Sequence, residues 1–280
     1  MSNPSPLVAE HASVSEAAPA AIYERELPVS AERIWENVLD WEHLPHLHSQ
    51  AFTSVDLSSS DRDGWRAVVG LPGPSGSSAE IDVRLDRDHL RYTTRTLAGA
   101  GAGTEIVTQL FEREHRRTGI RVDFHLPSAA PAAHAAAGEF YRSLYAGLWD
   151  QDESMMLGRQ RVVDALHTNE REGRAESASV CLGRVRELGA RLPLDVDLAG
   201  RRFRVVSIDG RLVAYDTRCP HLGGPLEAGQ LVGCEVACPW HGYRFDVRSG
   251  MSSDGRALHL GPAAVVEINA CDGEVRLRLP

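Results

Sequence analysis

The 280-residue chain is 42% hydrophobic and 25% charged, the composition of a soluble globular protein with room for two separate cores. Its net charge of −9 argues against nonspecific nucleic-acid binding and against anionic membranes, since both need a basic surface. No apolar run is long enough to span a bilayer.

Residues 1–20 carry neither a basic start nor an apolar core, so they read as a disordered tail rather than a secretory signal. "AIYERELPVS" (21–30) alternates as a first strand, and Ser30 is placed to cap the helix "AERIWENVLD". Pro45 interrupts a second helical turn within "LDWEHLPHLHSQAF" (39–52), which concentrates His43, His46 and His48 beside Asp40. Histidines near a helix end often cap carbonyls or stand half-exposed. Read alone, this cluster leaves that reading and a metal site both open.

"WRAVVGL", "EIDVRLD", "HLRYTTRTL", "TEIVTQLFEREH" and "GIRVDFHLP" read as strands separated by Gly, Ser and charged turns. "LAGAGAGTE" (97–105) is Gly-rich but leads into a strand and lacks the dinucleotide fingerprint, so it is a turn. From Pro131 to about His167 the pattern is helical. Tyr141, Leu144, Tyr145, Leu148, Met155 and Met156 form one apolar stripe; Asp152 falls inside it, Glu153 at its edge and Asp150 nearly opposite. A carboxylate on a buried face is costly unless it is paired or coordinated. This element order resembles the START or Bet v 1-like helix-grip fold, an α+β domain whose curved sheet wraps a long C-terminal helix.

The polar stretch "HTNEREGRAESAS" (167–179) reads as a flexible linker. Beyond it, "RRFRVVSIDGRLVAYDTRC" alternates as two strands joined at Asp209-Gly210, and "YRFDVRSG" as a further short strand. Between them lie Cys219-x-His221 and, after sixteen residues, Cys238-x-x-His241. Two Cys and two His also suit tetrahedral zinc, but zinc-finger spacing pairs like with like, and here the pairs are mixed. One thiolate and one imidazole from each of two loops is what a [2Fe–2S] centre with two Cys on one iron and two His on the other requires.

Residues 175–280 accordingly resemble the Rieske family, which implies an all-β domain with the cluster on Cys219, His221, Cys238 and His241. Respiratory-type members add a bonded cysteine pair and hydroxyl donors to the cluster. The corresponding positions here are Gly224, Trp240, Tyr243 and Phe245, which implies a lower potential and the oxygenase or ferredoxin branch. Five cysteines are too few and too uneven for a disulfide framework, which places the chain in the reducing cytoplasm. Cys181, Cys234 and Cys271 are expected to be ordinary buried thiols.

Rieske non-haem iron oxygenases join such a domain to a START-type domain with one mononuclear Fe(II). Asp40-Trp-Glu-His43-Leu-Pro-His-Leu-His48 is similar to their Asp-x-x-His-x-x-x-x-His motif at every required position. The resemblance implies iron on His43, His48 and an acid of the last helix. Asp152 is the choice, in a Gln151-Asp152 pair with Gln160 further on, and Glu153 the reserve. It leaves His46 spare and gives Asp40 a linking role between an iron-binding histidine and a cluster histidine of a neighbouring subunit.

The expected organisation is a tail (1–20), a START-like catalytic domain (21–167), a linker (168–179) and a Rieske domain (180–280), in an order reversed from that of typical members. The implied activity is O2-dependent hydroxylation, demethylation or desaturation of a mostly apolar organic substrate. The remaining length holds no flavin or nicotinamide fold, so a separate flavin- or ferredoxin-type reductase is expected. A homo-oligomer, possibly a trimer, is expected, and reversal of the domains leaves open whether the partner cluster belongs to a neighbour or to the same chain. The rival reading is a START-like ligand-binding module fused to a Rieske electron carrier without mononuclear iron.

Overall fold

The computed structural model describes residues 18–73, 76–114, 116–127, 130–172 and 178–279. The expected tail up to residue 17, and linker residues 173–177, lie outside them.

The chain divides into two compact units, one of 18–31 with 56–149, the other of 32–55 with 150–279. The first unit is built on a sheet. Its strands are β1 (Ala21–Leu27), β2 (Ser54–Asp61), β3 (Gly64–Gly70), β4 (Ser78–Asp86), β5 (Arg91–Gly99), β6 (Glu105–Arg113) and β7 (Arg117–His125), in the order β1-β7-β6-β5-β4-β3-β2. Sequential strands from β2 to β7 lie side by side, as short connections favour, and β1 closes on β7 antiparallel from Ala21↔Phe124 to Leu27↔Thr118. Alternating residues such as Ile120, Val122 and Phe124 are buried, the mark of a sheet with one covered face. The first half of the long helix α3 (Pro131–Glu172) packs there: Tyr145 meets the Phe124 ring edge-on at 5.0 Å and Tyr141 lies 5.9 Å from it. Gly138 permits the approach, because a Cβ on it would stand 2.6 Å from the Ala20 carbonyl oxygen.

β2 was not expected. "SVDLSSSD" has no apolar alternation because it is an edge strand exposed along nearly its whole length, so no buried face constrains its composition.

The second unit contains α1 (Ala31–Leu39), a 3₁₀ turn (Trp41–His43), α2 (Leu44–Leu47) and the second half of α3. Its C-terminal portion is all-β apart from short helical turns, and is made of three three-stranded sheets. These are β11-β10-β9, from β9 (Leu194–Leu198), β10 (Arg201–Ile208) and β11 (Arg211–Asp216); β12-β13-β14, from β12 (Leu231–Val232), β13 (Glu235–Ala237) and β14 (Arg244–Asp246); and β15-β16-β8, from β15 (Val265–Ile268), β16 (Glu274–Arg278) and β8 (Ser179–Arg184). The Asp209-Gly210 hairpin forms as the sequence indicates. Both residues have positive φ, 50° and 74°, and Ile208 pairs with Arg211 across the two-residue turn. One core joins Tyr215, Leu226, Val236 and Phe245 to Cys219 and Cys238; a second gathers Phe203, Val205, Val275 and Leu277.

Residues 21–167 fall in both units. The histidine segment and residues 150–172 group with the C-terminal portion, and α3 continues as helix to Glu172, through residues expected to begin the linker. A correction concerns the spare thiols. Cys181 and Cys271 are exposed and Cys234 is half-buried. Cys181 sits on the edge strand β8, Cys271 follows Asn269 in a surface turn, and Cys234 donates to Asp246 Oδ2 at 3.1 Å. No described helix is long and apolar enough to cross a membrane.

Candidate metal centres

The two Cys/His loops face each other in the second unit. In the first, Cys219 N donates to Gly224 O (2.9 Å) and Gly223 N to Cys219 O (2.9 Å); in the second, Cys238 N donates to Tyr243 O (2.8 Å) and Gly242 N to Cys238 O (2.8 Å). Each loop is thereby a tight turn with its cysteine at the base. Cys219, Cys238 and His241 are buried and His221 is half-buried. The His221 and His241 rings meet edge-on at 4.6 Å, and Tyr243 stacks on His221 at 4.3 Å. Gly224 has to be glycine, since a Cβ there would stand 2.6 Å from Cys238 Sγ and 3.1 Å from the Trp240 ring.

The electrostatics favour thiolate at Cys238 and neutral imidazole at His221. The Cys219 thiol, hydrogen-bonded to Cys238, holds Cys238 well below the usual thiol range and is itself pushed up. Burial and the nearby His241 push His221 down, and its buried Nδ1 has no hydrogen-bond partner. An orphaned buried imidazole nitrogen beside two mutually bonded thiols fits a metal cluster; ordinary packing would leave that nitrogen's desolvation uncompensated.

Segment 40–48 lies against the second loop. Asp40 Oδ2 stands 2.7 Å from His241 Nε2 and 3.7 Å from His43 Nδ1. Burial would raise the Asp40 carboxyl, but its hydrogen bond to His241 and the nearby His43 ring outweigh that and hold it well below the usual carboxylate range. Burial likewise opposes charge on His241, yet Asp40 and Cys238 push it up to about 9. Tyr243 Oη donates to Glu42 Oε2 at 2.5 Å, and burial together with that bond pushes the phenol up to about 12. His46, the spare histidine, lays its ring on Gly242: a Cβ there would come 2.6 Å from His46 Nδ1.

His43, His48 and Asp152 converge, all three buried, each offering one donor atom within 4.8 Å of the others. Asp152 Oδ1 lies 3.0 Å from His48 Nε2 and 3.5 Å from His43 Nε2. Donors bound about 2.1 Å from a first-row metal at adjacent corners of an octahedron stand about 3 Å apart, so the set fits one ion. Gln151 Oε1 lies 2.7 Å from His48 Nδ1; as acceptor of that N–H it leaves Nε2 turned toward Asp152. Burial would lower the His48 imidazole, but Asp152 and Gln151 raise it above its ordinary value. Glu153, the reserve, is not part of the trio, and Gln160 donates instead to Asp164 Oδ1 at 2.9 Å. No local signal points to the contacts of Glu42 and His46, because both are made with chain two hundred residues downstream. A cavity of about 30 Å³ lined by Asn37, Asp40, Met155, Arg159 and Trp240 lies against Asp40. It has room for water but not for an organic molecule.

Two facing Cys/His loops on small antiparallel sheets define an iron–sulfur electron-transfer domain. Residues 178–262 match the family of the Rieske [2Fe-2S] domain, and this part of the chain is a Rieske domain. The chain is 39% identical over 66 residues to a probable 3-ketosteroid-9-alpha-monooxygenase oxygenase component of Rhodococcus rhodochrous, a stretch that is 23% of this chain and 16% of that protein. It is 35% identical over 57 residues to the ferredoxin component of the naphthalene 1,2-dioxygenase system of Pseudomonas putida, covering 20% of this chain and 55% of that one. Among solved structures, the ferredoxin of carbazole 1,9a-dioxygenase from Nocardioides aromaticivorans IC177 shares 27% identity with a TM-score of 0.31, covering 36% of this chain and 97% of that chain. The chain thus spans less than a fifth of the oxygenase component it matches.

Proposed function

We propose that the chain is a Rieske-type oxygenase with its domains in reversed order. The observation that carries this reading is the convergence of two buried imidazoles and a buried carboxylate on one small volume, with Asp40, 3.7 Å from His43, hydrogen-bonded to His241. In this reading Cys219, His221, Cys238 and His241 hold the [2Fe–2S] cluster, and His43, His48 and Asp152 hold a mononuclear Fe(II). When bound, the cluster supplies single electrons, and the ferrous ion a place where O2 is activated to hydroxylate, demethylate or desaturate an organic substrate.

The chain's own groups do the rest. Gln151 fixes the His48 tautomer. Asp40 orients His241 through its hydrogen bond and faces His43. The three-donor set leaves the remaining coordination positions to exogenous ligands. The first unit, a sheet with the first half of α3, is read as the helix-grip part, and the substrate as a mostly apolar organic molecule. Electrons come from a separate flavin- or ferredoxin-type reductase.

Metal counting tests the assignment. After anaerobic Fe(II) loading, three irons per chain are expected in the parent and two in His43→Ala, with the reduced-cluster EPR signal intact and substrate-dependent O2 consumption lost. Two irons in the parent would favour the alternative, a START-like ligand-binding module fused to an electron carrier. That alternative draws on the similarity to a ferredoxin component.

A further inference from the structure

The segment from Asp40 to His48 serves two sites at once. Glu42, in the 3₁₀ turn, and His46, in α2, both meet the second cluster loop, at Tyr243 and Gly242. Asp40 meets the same loop at His241. His43 and His48, interleaved with them, meet Asp152 instead. Trp240 of the same loop rests on Gly158 of α3, six residues beyond Asp152; a Cβ on Gly158 would stand 2.8 Å from the Trp240 ring. All of these residues belong to one chain and one compact unit.

The oxygenases that this chain resembles are expected to draw the linking acid and the cluster histidine from neighbouring subunits. We propose that here the cluster loop and the three-donor site of the same polypeptide form the redox pair, with Asp40 as the bridge and Glu42 and His46 as positioning residues that seat the loop. This rests on the oxygenase reading above. One electron, delivered by the reductase, leaves the cluster side, which is oxidised, and arrives at the His43 side, which is reduced. Asp40 itself is unchanged. One chain is then a complete electron-transfer unit, and association with a second copy is not needed to bring the two sites together.

The test replaces the mononuclear ion by Co(II) and follows the spin relaxation of the reduced cluster by EPR power saturation. Binding of Co(II) is read independently from its visible bands, which His43→Ala should abolish. In the parent, Co(II) is expected to speed relaxation at least several-fold, unchanged on hundredfold dilution. Cys219→Ser, which lacks a cluster, is then co-expressed with the double variant His43→Ala/His48→Ala, which lacks the second site. These mixed preparations should show no enhancement. Enhancement in the mixture, or its loss on dilution of the parent, would place the pair between chains and overturn the proposal. Bound Co(II) with no enhancement in the parent would overturn it as well. Failure of Co(II) to bind at all would instead remove the mononuclear-site reading on which it rests. Glu42→Gln with His46→Ala should weaken the enhancement at full cluster and Co(II) occupancy, and an unchanged value would refute their positioning role.

Discussion

The contact of His46 with Gly242 makes a quantitative case. Gly242 has φ +68°, and a Cβ there would stand 2.6 Å from His46 Nδ1. Gly242→Ala therefore carries two separable costs. A left-handed non-glycine residue costs about 1–2 kcal/mol whatever its surroundings. Forcing the ring aside in a filled space costs about 1–3 kcal/mol more. With a urea slope of about 2–3 kcal/mol/M for a chain of this size, the midpoint should fall by about 1–2 M. In a His46→Ala background the second cost disappears, and the same substitution should shift the midpoint by roughly half as much. The measurement is a four-variant cycle on cluster-loaded protein, followed by tryptophan fluorescence and by visible absorption of the cluster. Equal shifts in the two backgrounds would show that His46 is not seated on the loop, and the argument from that contact would fail.

Gly158→Ala should gain about 1 kcal/mol from helix propensity but lose more by striking Trp240, giving net destabilisation; in a Trp240→Phe background its sign should reverse, as a thermal melt would show. Gly224→Ala, whose Cβ would stand 2.6 Å from Cys238 Sγ, should leave the fold intact by circular dichroism while iron and sulfide content fall by at least half. In cluster-free protein, His241 is raised from 6.5 to about 9 and Asp40 is lowered from 3.8. Their mutual stabilisation is present in full between about pH 4 and pH 6.5, is lost as pH rises through about 9, and is lost again in strong acid. At its maximum it is on the order of 3 kcal/mol. Asp40→Asn should flatten that profile in urea titrations at stepped pH, and an unchanged profile would mean that the pair contributes nothing.

The Rieske loops were legible because their chemistry is local: ligand type, spacing and the flanking glycines all lie within short stretches of Cys219–His241. The hairpin at Asp209-Gly210 was legible for the same reason, since only its own two residues need positive φ. Periodicity alone put Asp152 on the buried stripe of α3, because a helix repeats on a fixed angle. β2 escaped notice because an exposed edge has no pattern to read. The surface positions of Cys181 and Cys271 contradicted the expectation for a small apolar side chain, which takes no account of where a strand lies in its sheet.

Which surfaces the histidine segment touches was decided only in three dimensions. Asp40, Glu42 and His46 find partners at His241, Tyr243 and Gly242, and no local rule relates positions two hundred residues apart. Sequence alone left Asp40 free to pair within its chain or with a neighbour. The folded chain groups residues 32–55 with 150–279 and sets Asp40 Oδ2 2.7 Å from His241 Nε2 of the same chain. Residue identity specifies what a side chain can bind, whereas the packing of distant segments determines which partner comes within bonding distance.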